Sequence, residues 1–272
     1  AAHDALPATG GTIIADFEGT QNISTALTIT KPIVLLGLGR NATVFNWTPT
    51  TGTAMTVNID YTPTNCPAVD LQGFSLTGPG KAVGTTTGIA FTDGERARLN
   101  NLFLSGWSTE AMNFTGNTAD DTSNNMTYAN GVYIRSCATG IRFEGDNVNA
   151  TEFYNMDVRL CDTGVRYKVY NTDYPLGNFL SGHFDDNTTN LLVEGKRNRF
   201  RVWLEPSALT TWQIDLPAGS GINEFDLLNA SQSTKFRDLG SSNRINFSGN
   251  SAQAFPLNPP SNQDALEGIN NI

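Results

Sequence analysis

Residues 132–144 (VYIRSCATGIRFE) lie over residues 156–168 (MDVRLCDTGVRYK) at an offset of 24, and this self-similarity constrains the chain more than any other feature. Five of the 13 aligned positions are identical: Arg135/Arg159, Cys137/Cys161, Thr139/Thr163, Gly140/Gly164 and Arg142/Arg166. Within each copy, Val132 and Ile134, or Met156 and Val158, alternate with polar neighbours, as in a strand that buries one face. A Thr-Gly turn follows, then a second short apolar stretch. Two short strands and a turn cannot bury an apolar face alone. Successive copies must therefore stack on one another around a shared core.

The same pattern extends in both directions. Upstream, NLFLSGW from Asn101 matches NMDVRLC from Asn155, and GFSLTG from Gly73 is an earlier version. Downstream, Asn178, Asn198, Asn223 and Asn243 recur ahead of apolar residues at spacings of 20, 25 and 20, which are single-coil lengths. Asparagine at a repeated turn can adopt a left-handed conformation and bond its neighbour in the next coil, satisfying backbone groups that the turn leaves unpaired. The sequence thus predicts an asparagine ladder. It also predicts loops at residues 48–67, 78–87 and 115–130, the last projecting from the wall with Asp120 and Asp121.

The N-terminal residues carry a family resemblance. ALPATGGTII from Ala5, then Ile23, LTI from Leu27 and KPIVLLGLG from Lys31 resemble the opening of the pectate-lyase-like superfamily, above all its phage-tailspike, tail-fibre and surface-glycosidase members. Asp16-Phe-Glu-Gly19 departs from that pattern, where a Pro-X-Gly turn is usual. The resemblance implies an all-β fold: a right-handed, single-stranded parallel β-helix, or solenoid, with a short N-terminal cap and an irregular C-terminal tail. The expected boundaries are cap 1–9, β-helix 10–250 and a strap or linker at 251–272. The superfamily holds lyases, hydrolases, epimerases and binding proteins, so the resemblance points to architecture more than to chemistry.

A net charge of -9 repels nucleic acid and anionic membranes, and no stretch approaches 18 consecutive apolar residues. Neither nucleic-acid binding nor membrane insertion is expected. The chain opens on Ala1 rather than Met, which reads as a processed product or a piece of a longer polypeptide. Cys66, Cys137 and Cys161 are odd in number, and residues in register one coil apart are too far separated for an unstrained disulfide, so the stacked pair is expected to stay reduced. The two histidines, His3 and His183, show no ligand spacing and point to no metal. Phosphate-binding and nucleophile-elbow motifs are absent, and no cofactor is expected.

Three sets of residues could carry chemistry. Asp162 over Asp186 at 24 residues, with Asp185 adjacent and Glu205 one or two residues from the same column, would bring carboxylates of neighbouring coils within the range that glycoside hydrolysis needs. These four are expected to cluster beside a groove bordered by an inserted loop. Arg135 over Arg159 and Arg142 over Arg166 form two outward basic columns. The lyases that the sequence resembles use such cations on uronates, whereas ordinary stacking of like charges calls for pairing with neighbours such as Glu144, Glu152 and Asp157. Trp107, Tyr133, Tyr154, Tyr170, Tyr174 and Trp203 are candidate sugar-stacking platforms. Together with the resemblance, these features imply binding of a cell-surface or extracellular polysaccharide by a tailspike-like homotrimer, extracellular or virion-associated, with glycoside-hydrolase activity as the expected chemistry of an active form. A secreted monomeric lyase or hydrolase, and a non-catalytic surface decoration, are the alternatives.

Overall fold

A computed structural model of the chain describes residues 2–59, 69–118, 122–169, 175–205, 210–229 and 236–247. It is a parallel β-helix. One sheet runs through Gly11–Ala15, Ile33–Gly37, Asp70–Gln72, Arg98–Ser105, Tyr128–Arg135, Glu152–Arg159, Phe179–Asp185, Arg199–Glu205, Glu224–Asn229 and Arg244–Phe247 in that order. A second runs from Leu27–Ile29 through Thr51–Asn58, Thr85–Asp93, Glu110–Thr115, Thr139–Glu144, Thr163–Lys168, Thr189–Val193 and Trp212–Leu216 to Phe236–Asp238. Neighbouring strands in both sheets are parallel, and each coil pairs with the next.

The first sheet changes character along the axis. Its early coils break it into two short strands, and Asp70–Gln72 and Ser75–Thr77 both pair with the single strand Arg98–Ser105. The break persists as a kink: Gly73, Asn101, Gly131 and Asn155 all have φ between 51° and 67°. Asparagine and glycine tolerate this left-handed conformation best, which is why the Asn101/Asn155 match shows in the sequence.

The 24-residue repeat holds as read: Ile134 pairs with Val158, Arg135 with Arg159 and Arg142 with Arg166. Ile134 and Val158 are buried while Tyr133 and Arg135 face outward, as period-two alternation requires. The recurring glycine has a steric cause, because a Cβ on Gly140 would lie 2.4 Å from the Gly164 carbonyl oxygen and one on Gly164 would lie 2.6 Å from that of Asn190. Inside, Phe91, Phe114, Phe143 and Tyr167 stack one per coil at centroid spacings of 4.4, 5.2 and 4.7 Å. Cys137 and Cys161 are free and buried beside this core.

The asparagine ladder forms, with a change of detail. Backbone N and Nδ2 of Asn178 donate to Oδ1 of Asn198; those of Asn198 donate to Asn223, and those of Asn223 to Asn243. The left-handed residue at each rung is the one before the asparagine: Gly177, Arg197, Ile222 or Ser242. That residue turns the chain, and the asparagine side chain points inward to satisfy the turn above it.

The helix Ala2–Ala5 lies at the N-terminal end, where Lys31 Nζ donates to the carbonyls of His3, Asp4 and Leu6 and the backbone N of Thr30 donates to Nε2 of buried His3. All three loop expectations need correction. Thr51–Asn58 is a full strand of the second sheet and Thr85–Asp93 begins inside the expected 78–87 loop, because Thr-rich polar runs pair between coils as well as apolar ones. In the 115–130 segment Tyr128–Arg135 already belongs to the wall, and Asn124 is buried, its Nδ2 donating to the carbonyls of Phe91 and Thr115. Residues 60–67, Asp120, Asp121, Cys66, Tyr170, Tyr174 and the 251–272 tail lie outside the described residues.

Candidate functional site

Residues two apart on one strand share a face, and the register then extends each into a column along the solenoid. On the outer face of the first sheet, one column reads Tyr133, Asp157, His183, Trp203 and its neighbour reads Arg135, Arg159, Asp185, Glu205. Their meeting at the Glu152–Arg159, Phe179–Asp185 and Arg199–Glu205 strands gathers Asp157, Arg159, His183, Asp185 and Glu205 on this face.

Arg159 organises it. Nε lies 2.5 Å from Asp157 Oδ1 and Nη2 lies 3.0 Å from Oδ2, a two-point clasp between residues two apart on one strand. Nη2 also donates to His183 Nδ1 at 3.1 Å on the next coil, and Nη1 stands 3.7 Å from Asp185 Oδ2. Since guanidinium can only donate, Nδ1 accepts and a neutral His183 carries its proton on Nε2. Nε2 faces Glu205 Oε2 at 3.5 Å, a contact too poorly directed for a hydrogen bond. One ligand atom each of His183, Asp185 and Glu205 lie within 4.8 Å of one another.

The electrostatics act most visibly on Asp185. Partial burial pushes the Asp185 pKa above the usual carboxylate range, helped by the charges of Asp186 and Glu205 and opposed by Arg159. Arg159 is itself held more firmly protonated, chiefly by its hydrogen bonds to Asp157. Trp203, 44% exposed, stands over His183 edge-to-face at 6.2 Å and leaves an aromatic surface open beside the acids.

The four acids of the sequence reading do not share one column. Asp185 and Glu205 pair directly. Asp162 is corrected away from them: it pairs with Lys81 at 2.7 Å on an exposed part of the wall. The reason is coil length, since the coil after Arg159 repeats at 26 residues, with Arg159 opposite Asp185 and Thr163 opposite Thr189. Asp186 consequently falls at the position of Leu160, in a left-handed turn (φ 53°) just past the strand, and acts on Asp185 through its charge. His183 is the member that sequence spacing missed. It stands in register with Asp157 and Trp203, a relation visible only once the 26-residue coil is known.

The basic columns resolve into ion pairs. Arg142 binds Glu110 at 2.9 Å and also Glu144, Arg166 binds Glu194 at 3.1 Å, and Lys168 binds Glu144 at 2.8 Å. Arg135 remains exposed at the end of its strand. Of the aromatic candidates, Trp107 is corrected: its side chain is fully buried against the backs of Gly78 and Gly88 and can meet no ligand. The Tyr133 ring is covered by the Arg40 guanidinium, 3.4 Å from its centroid. Tyr154 lies between Tyr128 and Phe179 at centroid distances of 5.6 and 5.2 Å, a short outward aromatic ladder of which only Tyr154 was singled out from sequence. Beside it a shallow groove is lined by Asp70, Gln72, Arg98, Asn100, Met126 and Tyr128.

No protein-family model matches the chain, and no curated protein does. Among solved structures it is similar to ORF18 of Geobacillus virus E2, at 14% identity and a TM-score of 0.41 over 88% of this chain and 54% of that one. It is also similar to the catalytic domain of a GH87 α-1,3-glucanase in complex with nigerose, at 11% identity and a TM-score of 0.46 over 88% of this chain and 50% of that one. The chain thus spans about half the length of each. Among the described residues no helix is long and apolar enough to cross a membrane.

Proposed function

We propose that the outer face of the first sheet binds a polysaccharide and that Asp185 and Glu205 hydrolyse it. The observation that carries this reading is the facing of the two carboxylates from adjacent coils, with oxygens within 4.8 Å, beside the open Trp203 ring. Glycoside hydrolysis needs one protonated and one ionised carboxyl group. Burial and neighbouring charge favour the protonated form at Asp185, which makes it the acid that donates to the glycosidic oxygen. Glu205 is then the carboxylate that attacks the anomeric carbon. A separation below about 5.5 Å suits a covalent glycosyl intermediate and retention of configuration, because it leaves no room for a water between carboxylate and sugar. The exposed Trp203 and the Tyr128, Tyr154 and Phe179 ladder offer flat apolar surfaces to sugar rings at two places along the same face.

A glycan-array screen followed by a reducing-sugar assay on the best ligand tests the reading. Asp185→Asn and Glu205→Gln are expected to cut turnover at least 100-fold with affinity within about threefold, while Trp203→Ala weakens affinity about tenfold. Turnover unchanged in both carboxylate variants would sink the hydrolase. Affinity lost in Trp203→Ala, with no turnover in the parent, would instead mark a receptor-binding surface. A homotrimeric, virion-associated or extracellular setting belongs to the same proposal, and light scattering showing a monomer would count against it.

A further inference from the structure

We propose that His183 Nε2, Asp185 and Glu205 together bind a single divalent transition metal of the Zn²⁺ class, with the remaining coordination positions open to water or sugar hydroxyls. The ligand atoms lie within 4.8 Å of one another and come from two adjacent strands of the sheet, so the solenoid itself sets their spacing. The 3.5 Å from Nε2 to Glu205 Oε2 matches the edge of a tetrahedron whose ligands sit about 2.1 Å from the ion, which is about 3.4 Å. Asp185 offers the third ligand, with an oxygen within 4.8 Å of the other two ligand atoms. Nε2 is shielded from solvent and has no hydrogen-bond partner, so a shift of its proton to Nδ1 would cost it no hydrogen bond and would free its lone pair for a metal.

The surroundings fit as well. A metal on Nε2 requires the proton on Nδ1, and Asp157 Oδ1, 3.9 Å from that atom and outside hydrogen-bond distance in this structure, is a carboxylate that could take up that proton if the two groups closed by about 1 Å, as in carboxylate–histidine–metal arrangements. Four carboxylates, Asp157, Asp185, Asp186 and Glu205, surround the site, with Arg159 bonded into the group. A mixed imidazole and carboxylate set favours Zn²⁺ over Ca²⁺, which takes oxygen ligands. Arg159 opposes the metal, because its Nη2 now donates to the same Nδ1 that must become a donor. Metal binding and the arginine contact are therefore alternatives, and an occupied site would withdraw both carboxylates from hydrolysis.

The inference does not depend on hydrolysis, and the test reads binding directly. The 272-residue chain, stripped with EDTA and desalted, is titrated with ZnCl₂ and, separately, CaCl₂ by isothermal calorimetry, with circular dichroism confirming the fold of each variant. Zn²⁺ is expected to bind one to one, His183→Gln and Glu205→Gln each to weaken it 10- to 100-fold, and Arg159→Met to tighten it. Any Ca²⁺ heat should be indifferent to His183→Gln. Absence of one-to-one Zn²⁺ binding would overturn the site, as would an affinity unmoved by both ligand variants. Weaker binding in Arg159→Met would overturn the assignment of Nε2 as the ligand atom.

Discussion

Removing one rung of the asparagine ladder tests how the solenoid holds its turns. In Asn198→Ala the lost Oδ1 had accepted from the backbone N and Nδ2 of Asn178, both at 3.1 Å, and the lost Nδ2 had donated to Pro175 O at 3.3 Å and Asn223 Oδ1 at 3.2 Å. The side chains involved are buried, Asn178, Asn198 and Asn223 each being 1% exposed, so water cannot replace them. Three of the losses are softened: Asn178 Nδ2 still donates to Val148 O, Pro175 O still accepts from the Lys196 backbone, and Asn223 Oδ1 still accepts from the backbone N of residue 198. The backbone N of Asn178 is left as the main orphan, at about 1–3 kcal/mol, and the weakened remaining bonds bring the total to about 2–4 kcal/mol. Asn130→Ala is the control, because its bond from Asn155 Nδ2 at 2.8 Å is exposed and its loss should cost under about 0.5 kcal/mol. Equilibrium urea unfolding followed by circular dichroism reads the difference as a shift in midpoint at constant slope. A cost for Asn198→Ala below about 1 kcal/mol, or no larger than for Asn130→Ala, would refute the claim that the ladder is the means by which these turns are satisfied.

Three further outcomes are expected. Ile134→Asp should abolish cooperative folding of the central coils, since an unpaired carboxylate in that core costs several kcal/mol, whereas Tyr133→Ala should cost little; melts ranked the other way would mean the strand presents its opposite face. Arg142→Met should lower stability by about 1–3 kcal/mol, because Glu144, 5% exposed, would keep Lys168 as its cation, and a double-mutant cycle with Glu144→Gln should recover part of the loss; strict additivity would show the two side chains to be uncoupled. In a Cys66→Ser background, Cys137 and Cys161 should react with a thiol reagent only on unfolding, since both are buried and burial pushes the Cys137 thiol up; rapid labelling of the native protein would contradict that packing.

The solenoid, its central register and the ladder are legible in the amino-acid sequence, because each is a local rule applied once per coil: alternation at Ile134 and Val158, a glycine where the next coil passes too close for a Cβ at Gly140 and Gly164, and an asparagine at each buried turn. Asp185, Glu205, Arg159 and Trp203 are candidates on sequence, and the register of three successive strands sets them in two adjacent columns. What the sequence could not supply was the length of the coil between Arg159 and Asp185. A change from 24 to 26 residues leaves every local pattern intact yet moves each outward side chain two places relative to the coil beneath, which separates Asp162 from Asp186 and sets His183 over Asp157. Burial of the large aromatics was hidden for a related reason. Trp107 follows the end of its strand, where period-two alternation no longer assigns a face, and only the stacking of Gly78 and Gly88 against its ring places it inside. The candidate site emerges only in three dimensions because it is made across coils, and the pairing between coils is fixed by backbone hydrogen bonds whose register depends on the whole length of each turn.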